Sequence, residues 1–305
     1  MKFGGRQSGR KVGPSTSVSL PASHQHGKMP VMVKLLSFPK VRFQYRLKTL
    51  FVLVVVVAVP CCWLTWTMEA KRRERANVAA IKELGGVCMD CENPQDYEPP
   101  GPAWLRSLLG DDFFANVVRV NLFDSRDTDA AMTHVKDLTS LTILFLPRSQ
   151  ISDEGLSNVQ GLSALRQLYL EGTQVSDNGL KHLEKLTRLE VLFLEGTQVT
   201  DLKHLAGLTR LETLFLDHTQ INDSDLKHLG KLTRLECLSL NGTQVTDPGL
   251  EHLRSLKGLR SLWLHGCQVT DTGLGNLQRA LPDCDIRLSP SKSYSLPDST
   301  LRGLD

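Results

Sequence analysis

The sequence predicts an α/β solenoid, with parallel strands on a concave side and short helices on a convex side, preceded by one transmembrane helix. Three observations predict this fold. Leucines recur at a nearly fixed spacing through the second half of the chain, each repeat joins a strand pattern to a helix pattern, and an uncharged block lies near the N-terminus. Self-similarity with a period of roughly 20 to 50 residues is the signature of repeat architectures.

Each repeat follows the pattern L-x-x-L-x-L-x-x-T-Q-V-T-D-x-G-L-x-H-L-x-x-L, which is clearest at residues 165–186. The first half alternates apolar and polar residues, as in a strand with one buried face, and the second half places leucines three apart, as on one side of a short helix. The intervals between opening leucines are 24, 24, 22, 24 and 24 residues. The opening leucines are Leu141, Leu165, Leu189, Leu211, Leu235 and Leu259.

One repeat is too small to fold alone, because its few aliphatic side chains bury too little apolar surface to offset the entropy lost on ordering. Stacking adds shared apolar surface and hydrogen bonds between strands. A degenerate unit precedes the six leucine-opened repeats. We therefore expect seven repeats and a terminal strand over residues 117–288, and a tail at 289–305.

Two polar positions recur in the repeats. Asp177 opens the helical half of its repeat, where an N-cap is expected. Thr173 occupies the turn after the strand, where a hydroxyl can satisfy backbone groups. The 22-residue repeat lacks two residues after Asp201, which predicts a tighter convex turn with little effect on its strand. The residues equivalent to Asp177 are Asp153, Asp201, Asp223, Asp247 and Asp271, and those equivalent to Thr173 are Ser149, Thr197, Thr219, Thr243 and Cys267.

The uncharged block occupies residues 49–68. A helix of that length spans roughly 30 Å, the hydrocarbon thickness of a bilayer. Trp63 and Trp66 lie toward one end, where aromatic side chains favour the membrane interface, and Pro60 is tolerated in a spanning helix. A buried core helix fits less well, because basic clusters bound the block on both sides. The sequence therefore predicts a transmembrane helix.

Charge is distributed unevenly along the chain. Residues 1–48 carry ten Lys or Arg and no Asp or Glu, which predicts a disordered basic arm. The arm favours an inside N-terminus and an exported repeat domain. Residues 69–116 are expected to form a juxtamembrane helix and an N-terminal cap. Residues 77–305 carry a net charge of −9, which disfavours nucleic-acid binding.

Two residue columns are predicted to line the concave side. The central strand position is aromatic in five of seven repeats, although only 6% of the chain is aromatic. Two residues further on, three successive repeats carry an acid. Because strands lie about 4.8 Å apart, these side chains should form an exposed ribbon of rings beside carboxylates, which is typical of a binding surface. The aromatic residues are Phe145, Tyr169, Phe193, Phe215 and Trp263, and the acids are Glu171, Glu195 and Asp217.

Two interpretations of this surface remain open. The rings and carboxylates favour a protein or peptide partner with basic character, for example an extended segment bearing Lys or Arg. Alternatively, the rings only stabilise the sheet by stacking, and the solenoid is a structural protein that associates with itself or with the envelope. No residue pattern in the sequence specifically favours a carbohydrate partner.

Other chemistry has weaker support, and we expect no enzyme, cofactor or metal site. No Walker loop, G-x-S-x-G or H-E-x-x-H motif occurs. Cys88 and Cys91 form a CxxC without the second pair of a zinc site or the βαβ setting of a redox site; a local disulfide and unpaired cysteines remain open. Five convex histidines recur one per repeat without interleaved acids. They are His134, His182, His204, His228 and His252.

On these motifs, residues 42–288 resemble leucine-rich-repeat proteins, in particular bacterial single-pass membrane proteins with T-Q-V-T-D-x-G-L repeats. Residues 76–86 and 101–122 are similar to the segment that such proteins place between membrane helix and repeats. The resemblance implies a parallel-stranded horseshoe that recognises proteins or other macromolecules and has no catalytic residues. The sequence departs from the family in the 22-residue repeat, in Asp225 where glycine is usual, and in the CxxC.

Overall fold

The computed structural model describes residues 47–89, 103–110, 113–123 and 125–288 of the 305-residue chain. Residues 1–46 of the predicted arm, Cys91 and the tail at 289–305 lie outside the described residues. The chain divides into two units, residues 1–53 and 54–305. Of the first unit, only the beginning of the long N-terminal helix is described.

This helix, α1 (Leu47–Glu83), has 37 residues and continues without interruption through Pro60. Among the described residues, the stretch from Val54 is long and apolar enough to cross a membrane, and its most apolar part is not buried by the protein. The helix ends before Gly85, whose φ of 93° favours glycine. The chain then turns directly into the first strand.

Nine strands in the described residues form one sheet, in the order of the chain. The first strand pairs antiparallel with the second, and every later pair is parallel. The sequence did not predict this first, antiparallel strand, which contains Cys88. The strands are β1 (Val87–Met89), β2 (Arg119–Asn121), β3 (Ile143–Phe145), β4 (Gln167–Tyr169), β5 (Val191–Phe193), β6 (Thr213–Phe215), β7 (Cys237–Ser239), β8 (Ser261–Trp263) and β9 (Asp285–Arg287).

Short helices connect most of the strands. In the 22-residue repeat, a single 3-10 turn at Lys203–Leu205 replaces the α-helix, as the two missing residues predict. Other 3-10 turns follow the α-helices at Asp153–Leu156, Asp177–Leu180 and Asp223–Leu226. The helices are α2 (Ala103–Leu109), α3 (Thr128–Val135), α4 (Asp153–Leu156), α5 (Asp177–Leu180), α6 (Asp223–Leu226), α7 (Asp247–Leu253) and α8 (Asp271–Ala280).

The leucine core runs through every repeat. Leu168 faces Leu144 and Leu192 in the parallel register, and all three are fully buried. The core extends from Ile81 on α1 to Cys284 beside β9. The predicted solenoid of parallel strands and short helices is therefore confirmed. The turn hydroxyls are also buried, and each donates to a carbonyl three residues earlier, as from Thr173 to Leu170 at 2.7 Å.

The N-cap prediction was wrong for the five aspartates whose repeats contain an α-helix. The N-cap of α5 is Ser176, whose hydroxyl accepts a hydrogen bond from the Asn178 N–H, and Asp177 is the first residue of the helix. The Asp177 carboxylate instead accepts the N–H of Thr200 at 2.8 Å and its hydroxyl at 2.6 Å, in the next repeat. The Asp177 carboxylate therefore receives both of these donors from the next repeat. The Asn178 N–H at the start of α5 is already served by the Ser176 hydroxyl.

This bond between repeats recurs, and we call the series the aspartate ladder. In each case one carboxylate accepts both the N–H and the hydroxyl of a Ser or Thr located 23 residues later. Hydrogen bonds to charged groups contribute about 1.5–3 kcal/mol each, so the ladder fastens each convex turn to the next. The pairs are Asp129–Ser152, Asp153–Ser176, Asp177–Thr200, Asp223–Thr246 and Asp247–Thr270.

The ladder is interrupted after the 22-residue repeat. The Asp201 carboxylate bonds within its own turn, to the Lys203 N–H at 2.9 Å and to Lys203 Nζ at 2.6 Å. In the following repeat, the Asn222 N–H donates to Asp225 Oδ2 at 3.0 Å, as part of a capping box at the start of α6. The repeat after the deletion thus supplies its own acceptor.

Asp225 stands at a position where most repeats have glycine. At the equivalent Gly179, an added Cβ would lie 2.5 Å from Oδ1 of Asp153, the ladder carboxylate of the previous repeat. The Asp201 carboxylate is bonded to Lys203 instead, and the acceptor of the Asn222 N–H is the Asp225 side chain. The shortened repeat and the lost glycine are therefore one structural feature.

Removing a ladder carboxylate should destabilise the stack, except in the last repeat. Asp153→Ala deprives the Ser176 N–H of its acceptor, and we expect the free energy of unfolding to fall by about 1–3 kcal/mol. Asp271 has no ladder partner in the described residues, so Asp271→Ala should change it by less than about 0.5 kcal/mol. Urea denaturation of the full chain in detergent measures both. Equal effects would contradict a role for the ladder.

Restoring the two missing residues should be tolerated only together with glycine at position 225. Inserting Asn-Gly after Asp201 directs its carboxylate toward Asn222, where Asp225 already lies. We expect the insertion to lower the free energy of unfolding of the natural chain. In the Asp225→Gly background this loss should be smaller by at least about 1 kcal/mol, which is a typical coupling between contacting residues. Urea denaturation of the four chains gives the coupling. Strictly additive effects would show that the two departures are unrelated.

Candidate binding surface

The aromatic column lies on the face of the sheet opposite the leucine core, which we call the strand face and which corresponds to the predicted concave side. Phe145, Tyr169, Phe193 and Phe215 stand in register on β3 to β6. Their ring centroids are 4.1, 4.8 and 4.5 Å apart, with interplanar angles of 10°, 17° and 7°. These spacings are close to the distance between strands, so each ring lies flat on the next.

The column continues past β7, which has a serine at this position. The ring of Trp263 on β8 stacks on Phe215 at 5.7 Å, and Ser239 between them is fully buried. At the other end, the guanidinium carbon of Arg119 lies 5.8 Å from the centroid of Phe145, in cation–π geometry. The five predicted aromatic residues therefore form one continuous stack.

The prediction of an exposed ribbon was wrong for most of these rings. Tyr169, Phe193, Phe215 and Trp263 are only 4, 7, 2 and 8% exposed, and Phe145 is half-buried. Each ring covers the face of its neighbour, and the adjacent strand-face column packs beside them, so that little more than ring edges remains accessible. The rings form a second apolar cluster, separate from the leucine core. This cluster includes Ile143, Val191 and Cys237.

Asp217 is buried and fully hydrogen-bonded. Its carboxylate accepts the Ser239 hydroxyl, the Asn241 N–H at 3.0 Å and the Asn241 side-chain amide at 3.0 Å. The Asn241 amide oxygen in turn accepts the His265 N–H at 2.7 Å. Asp217 therefore connects the ends of three strands, and its oxygens are already engaged within the protein.

Glu171 and Glu195 are in a different environment. Both are half-buried, Oε2 of Glu171 is buried without a hydrogen-bond partner, and neither side chain forms an ion pair among the described residues. Burial raises the pKa of Glu171 to about 7, opposed only partly by its own backbone N–H and by Arg148. Burial also raises the pKa of Glu195 to about 7, and the charges of Asp217 and Glu171 add to the effect.

Sequence reasoning missed Arg119 and Arg148 at this surface. Arg119 on β2 borders Phe145, and Arg148 lies in the turn beside Glu171. Arg148 adopts a φ of 54°, at a position where most repeats have glycine. The unusual position of Arg148 could have been recognised from the sequence, since an alignment of the repeats puts it in that glycine column. Its proximity to Glu171, however, depends on the stacking of neighbouring repeats.

The described histidines and cysteines that the sequence singled out do not form a common site. No group of three or more His, Cys, Asp or Glu side chains placed to hold a metal ion occurs in the part of the chain that the structure describes. His204 Nδ1 lies 2.5 Å from Glu184 Oε1, and His134 Nδ1 lies 3.2 Å from the Asn77 amide oxygen. Cys88 is a free thiol on β1, and burial raises its pKa to about 11 despite the charge of Lys82.

Comparison with known proteins identifies the repeats. The family described as leucine-rich repeat region matches residues 123–295. Internalin C2 from Listeria monocytogenes is 27% identical, over 57% of this chain and 81% of that chain, with a TM-score of 0.45. Internalin F from the same organism is 24% identical, over 52% and 51%, with a TM-score of 0.44.

A third similar structure is the leucine-rich-repeat ectodomain of the plant membrane receptor kinase GASSHO1/SCHENGEN3 from Arabidopsis thaliana. It is 20% identical over 48% of this chain and 18% of that chain, with a TM-score of 0.37. The present chain thus spans about half of the internalin F chain and less than a fifth of the plant one. Comparison with curated protein sequences gave no match.

The family match covers more than half of the 305 residues. Within it, the structure has the parallel strands, buried leucine columns and short convex helices that the repeat motif predicts. The chain therefore belongs to the leucine-rich-repeat family.

Proposed function

We propose that this protein is a membrane-anchored leucine-rich-repeat module that binds a basic segment of a protein or peptide on its strand face, over β4 to β6. Glu171 and Glu195 are proposed to receive the Lys or Arg side chains of the partner. The observation that carries the proposal is this pair of half-buried carboxylates, which form no ion pair among the described residues and of which Glu171 has one buried oxygen without a hydrogen-bond partner.

Such carboxylates are costly in the free protein. A buried oxygen without a donor loses its hydration without compensation, and the like charges of Glu171 and Glu195 repel each other. A Lys or Arg side chain would supply both charge and donors, and the planar guanidinium of Arg suits a carboxylate especially well. Binding would lower the pKa of both groups, because an adjacent positive charge favours the ionised form.

The aromatic column stabilises the part of the strand face that carries the two carboxylates. Its rings are stacked and mostly buried, which makes this part of the strand face rigid before binding. A surface that is ordered in advance reduces the entropy cost of association. Phe145 offers the most accessible ring of the five, while Tyr169, Phe193, Phe215 and Trp263 contribute mainly edges and packing. We assign Asp217 the same structural role, because its carboxylate oxygens already accept hydrogen bonds from Ser239 and Asn241.

The membrane anchor is supported by the surface of α1. Its apolar side chains are strongly exposed, including Phe51 at 69%, Val56 at 63% and Trp66 at 71%. An apolar surface of this size is unfavourable in water, and a bilayer would cover it. The basic residues of the arm favour an inside N-terminus, so we place the repeat domain on the exported side.

Replacing the two carboxylates should abolish binding of basic peptides without disturbing the fold. Gln at positions 171 and 195 keeps the side-chain volume and removes both charges. Peptides selected from a random display library on the full chain should be enriched in Lys or Arg. At pH 8, titration calorimetry should show at least about tenfold weaker binding to the Glu171→Gln/Glu195→Gln chain, which corresponds to about 1.4 kcal/mol.

A matched control removes two charges elsewhere. Glu154→Gln/Glu251→Gln changes exposed positions on α4 and α7, and peptide affinity should stay within about twofold of the natural chain. Selected peptides without basic residues, or equal binding to both double variants, would refute the proposed site. Failure to select any peptide, together with concentration-dependent association of the protein, would favour the self-associating alternative. Ring-to-Ala variants are less informative, because they would also remove stacking.

The raised pKa values also predict how stability depends on pH. The ionised forms of Glu171 and Glu195 are disfavoured in the folded chain. Their contribution to stability is therefore fully present below the ordinary value of 4.5 and is lost as pH rises through about 7. Urea denaturation should show the free energy of unfolding falling between pH 5 and pH 8. Glu171→Gln/Glu195→Gln should remove on the order of 2 kcal/mol of that fall. Identical pH profiles for the two chains would contradict this.

A further inference from the structure

We propose that α2 is a second membrane contact, lying in the lipid headgroup region beside α1 with Trp104 and Leu108 inserted into the lipid surface. This inference rests on the proposed membrane anchor and extends it. It gives the exposed face of α2 one occupant, a lipid surface.

Trp104 and Leu108 are 69% and 73% exposed, more than any other large apolar residue outside α1 in the described parts of the chain. The values match those of Phe51 and Trp66, at 69% and 71%, on the apolar part of α1. Residues four apart share one side of a helix, and no residue of α2 is buried. A single exposed leucine is ordinary, but a tryptophan and a leucine side by side form an apolar patch that needs a partner.

The chain after α2 is held at the level where α1 leaves its apolar stretch. Met68 is the last residue of the uncharged block. Phe113 is buried and lines a cavity of about 240 Å³ together with Thr67, Ala70 and Lys71 of α1. These three residues lie within one helical turn of Met68, about 5 Å along the axis. Phe113 therefore marks the height of the predicted membrane interface.

Polar contacts fix the residues that follow Phe113 to the same turn of α1. Lys71 Nζ donates to the Ala115 carbonyl and, at 2.7 Å, to the Asn116 side-chain oxygen. Glu74 accepts the Val117 N–H at 2.9 Å and pairs with Lys71 at 2.7 Å. The segment is thus attached to α1 by side chains that are themselves largely buried.

Only three residues, 110–112, connect α2 to Phe113. The Gly110 N–H bonds the Arg106 carbonyl at 2.8 Å at the end of α2, and the Phe113 N–H bonds the Gly110 carbonyl at 3.2 Å. Leu109 precedes Phe113 by four residues, at most about 14 Å of extended chain. Helix α2 therefore stays close to the level at which α1 emerges from the bilayer.

A lipid surface suits the chemistry of this patch. Tryptophan favours the interface because its ring is apolar and its indole N–H is polar, and Leu108 would reach the acyl boundary beside it. Arg72 on α1 is exposed at the same level, beside Arg73, which pairs with Glu69 at 3.5 Å, and the positive charge of Arg72 would attract anionic headgroups. A seven-residue helix binds membranes weakly alone, but attachment to a spanning helix makes the contact intramolecular. Two contacts would restrict rotation of the repeat domain about α1.

Tryptophan quenching tests the contact in the full chain. The protein has four tryptophans, and Trp263 lies far from α2 in sequence and is 8% exposed on the strand face. One variant, Trp63→Phe/Trp66→Phe, keeps Trp104 with Trp263. A second, Trp63→Phe/Trp104→Phe, keeps Trp66 with Trp263. The baseline chain, Trp63→Phe/Trp66→Phe/Trp104→Phe, keeps Trp263 alone.

Each chain is inserted into vesicles of phosphatidylcholine and phosphatidylglycerol whose acyl chains carry bromine near the headgroup. We expect the Trp104 signal above the baseline to fall at least twofold relative to unbrominated vesicles, and to resist aqueous acrylamide. Adding Leu108→Asp to the Trp104 chain should restore most of this emission and leave the Trp66 signal unchanged. The Trp263 baseline should show no quenching by bromine.

The outcomes separate this inference from the membrane anchor. If bromine quenches Trp66 but not Trp104, or if acrylamide quenches Trp104 freely, α2 does not touch the lipid and the inference is overturned while the anchor stands. If Trp66 is not quenched, α1 does not enter the bilayer, and both proposals fall. Unaltered Trp104 quenching in the Leu108→Asp chain would exclude insertion of this helix face.

Discussion

The structure depends on one constraint, that no repeat can bury its aliphatic side chains without a neighbour in the same register. Leu168 is fully buried because Leu144 and Leu192 stand on either side of it. The ends of the stack require substitutes for a neighbouring repeat. At one end, α1 contributes the buried Ile81 and β1 pairs antiparallel with the first repeat strand. At the other end, β9 and the longer α8 close the core.

The same constraint explains how the solenoid accommodates an irregular repeat. The deletion after Asp201 removes an α-helix from the convex side, yet β5 and β6 keep their register. Only contacts with the next repeat change, and there Asp225 replaces the acceptor that the ladder would have supplied. Because each repeat touches only its neighbours, an alteration on one convex turn is compensated one repeat later and propagates no further.

The parallel register also aligns the side chains of the strand face. There, the aromatic column stabilises the fold, whereas the carboxylates that we propose bind the partner do not. The aligned rings gain from stacking and bury one another, so they contribute to the fold. The aligned carboxylates of Glu171 and Glu195 gain nothing from alignment, since burial and repulsion disfavour their ionised forms. Functional sites in proteins commonly carry such perturbed groups. The column that is unfavourable for the free protein is the one that we propose receives the partner.

The sequence alone determined the strands and helices of the repeats and their columns, because the two spacings in each repeat assign every leucine, ring and acid to a face. It also marked α1, through length and absence of charge. Tertiary structure decided the rest. Whether Asp177 caps its own helix or binds Thr200 depends on where donors of the next repeat lie. Exposure of Tyr169, the pairing of β1 and the location of α2 likewise depend on distances between segments, and periodicity along one chain contains no such distances.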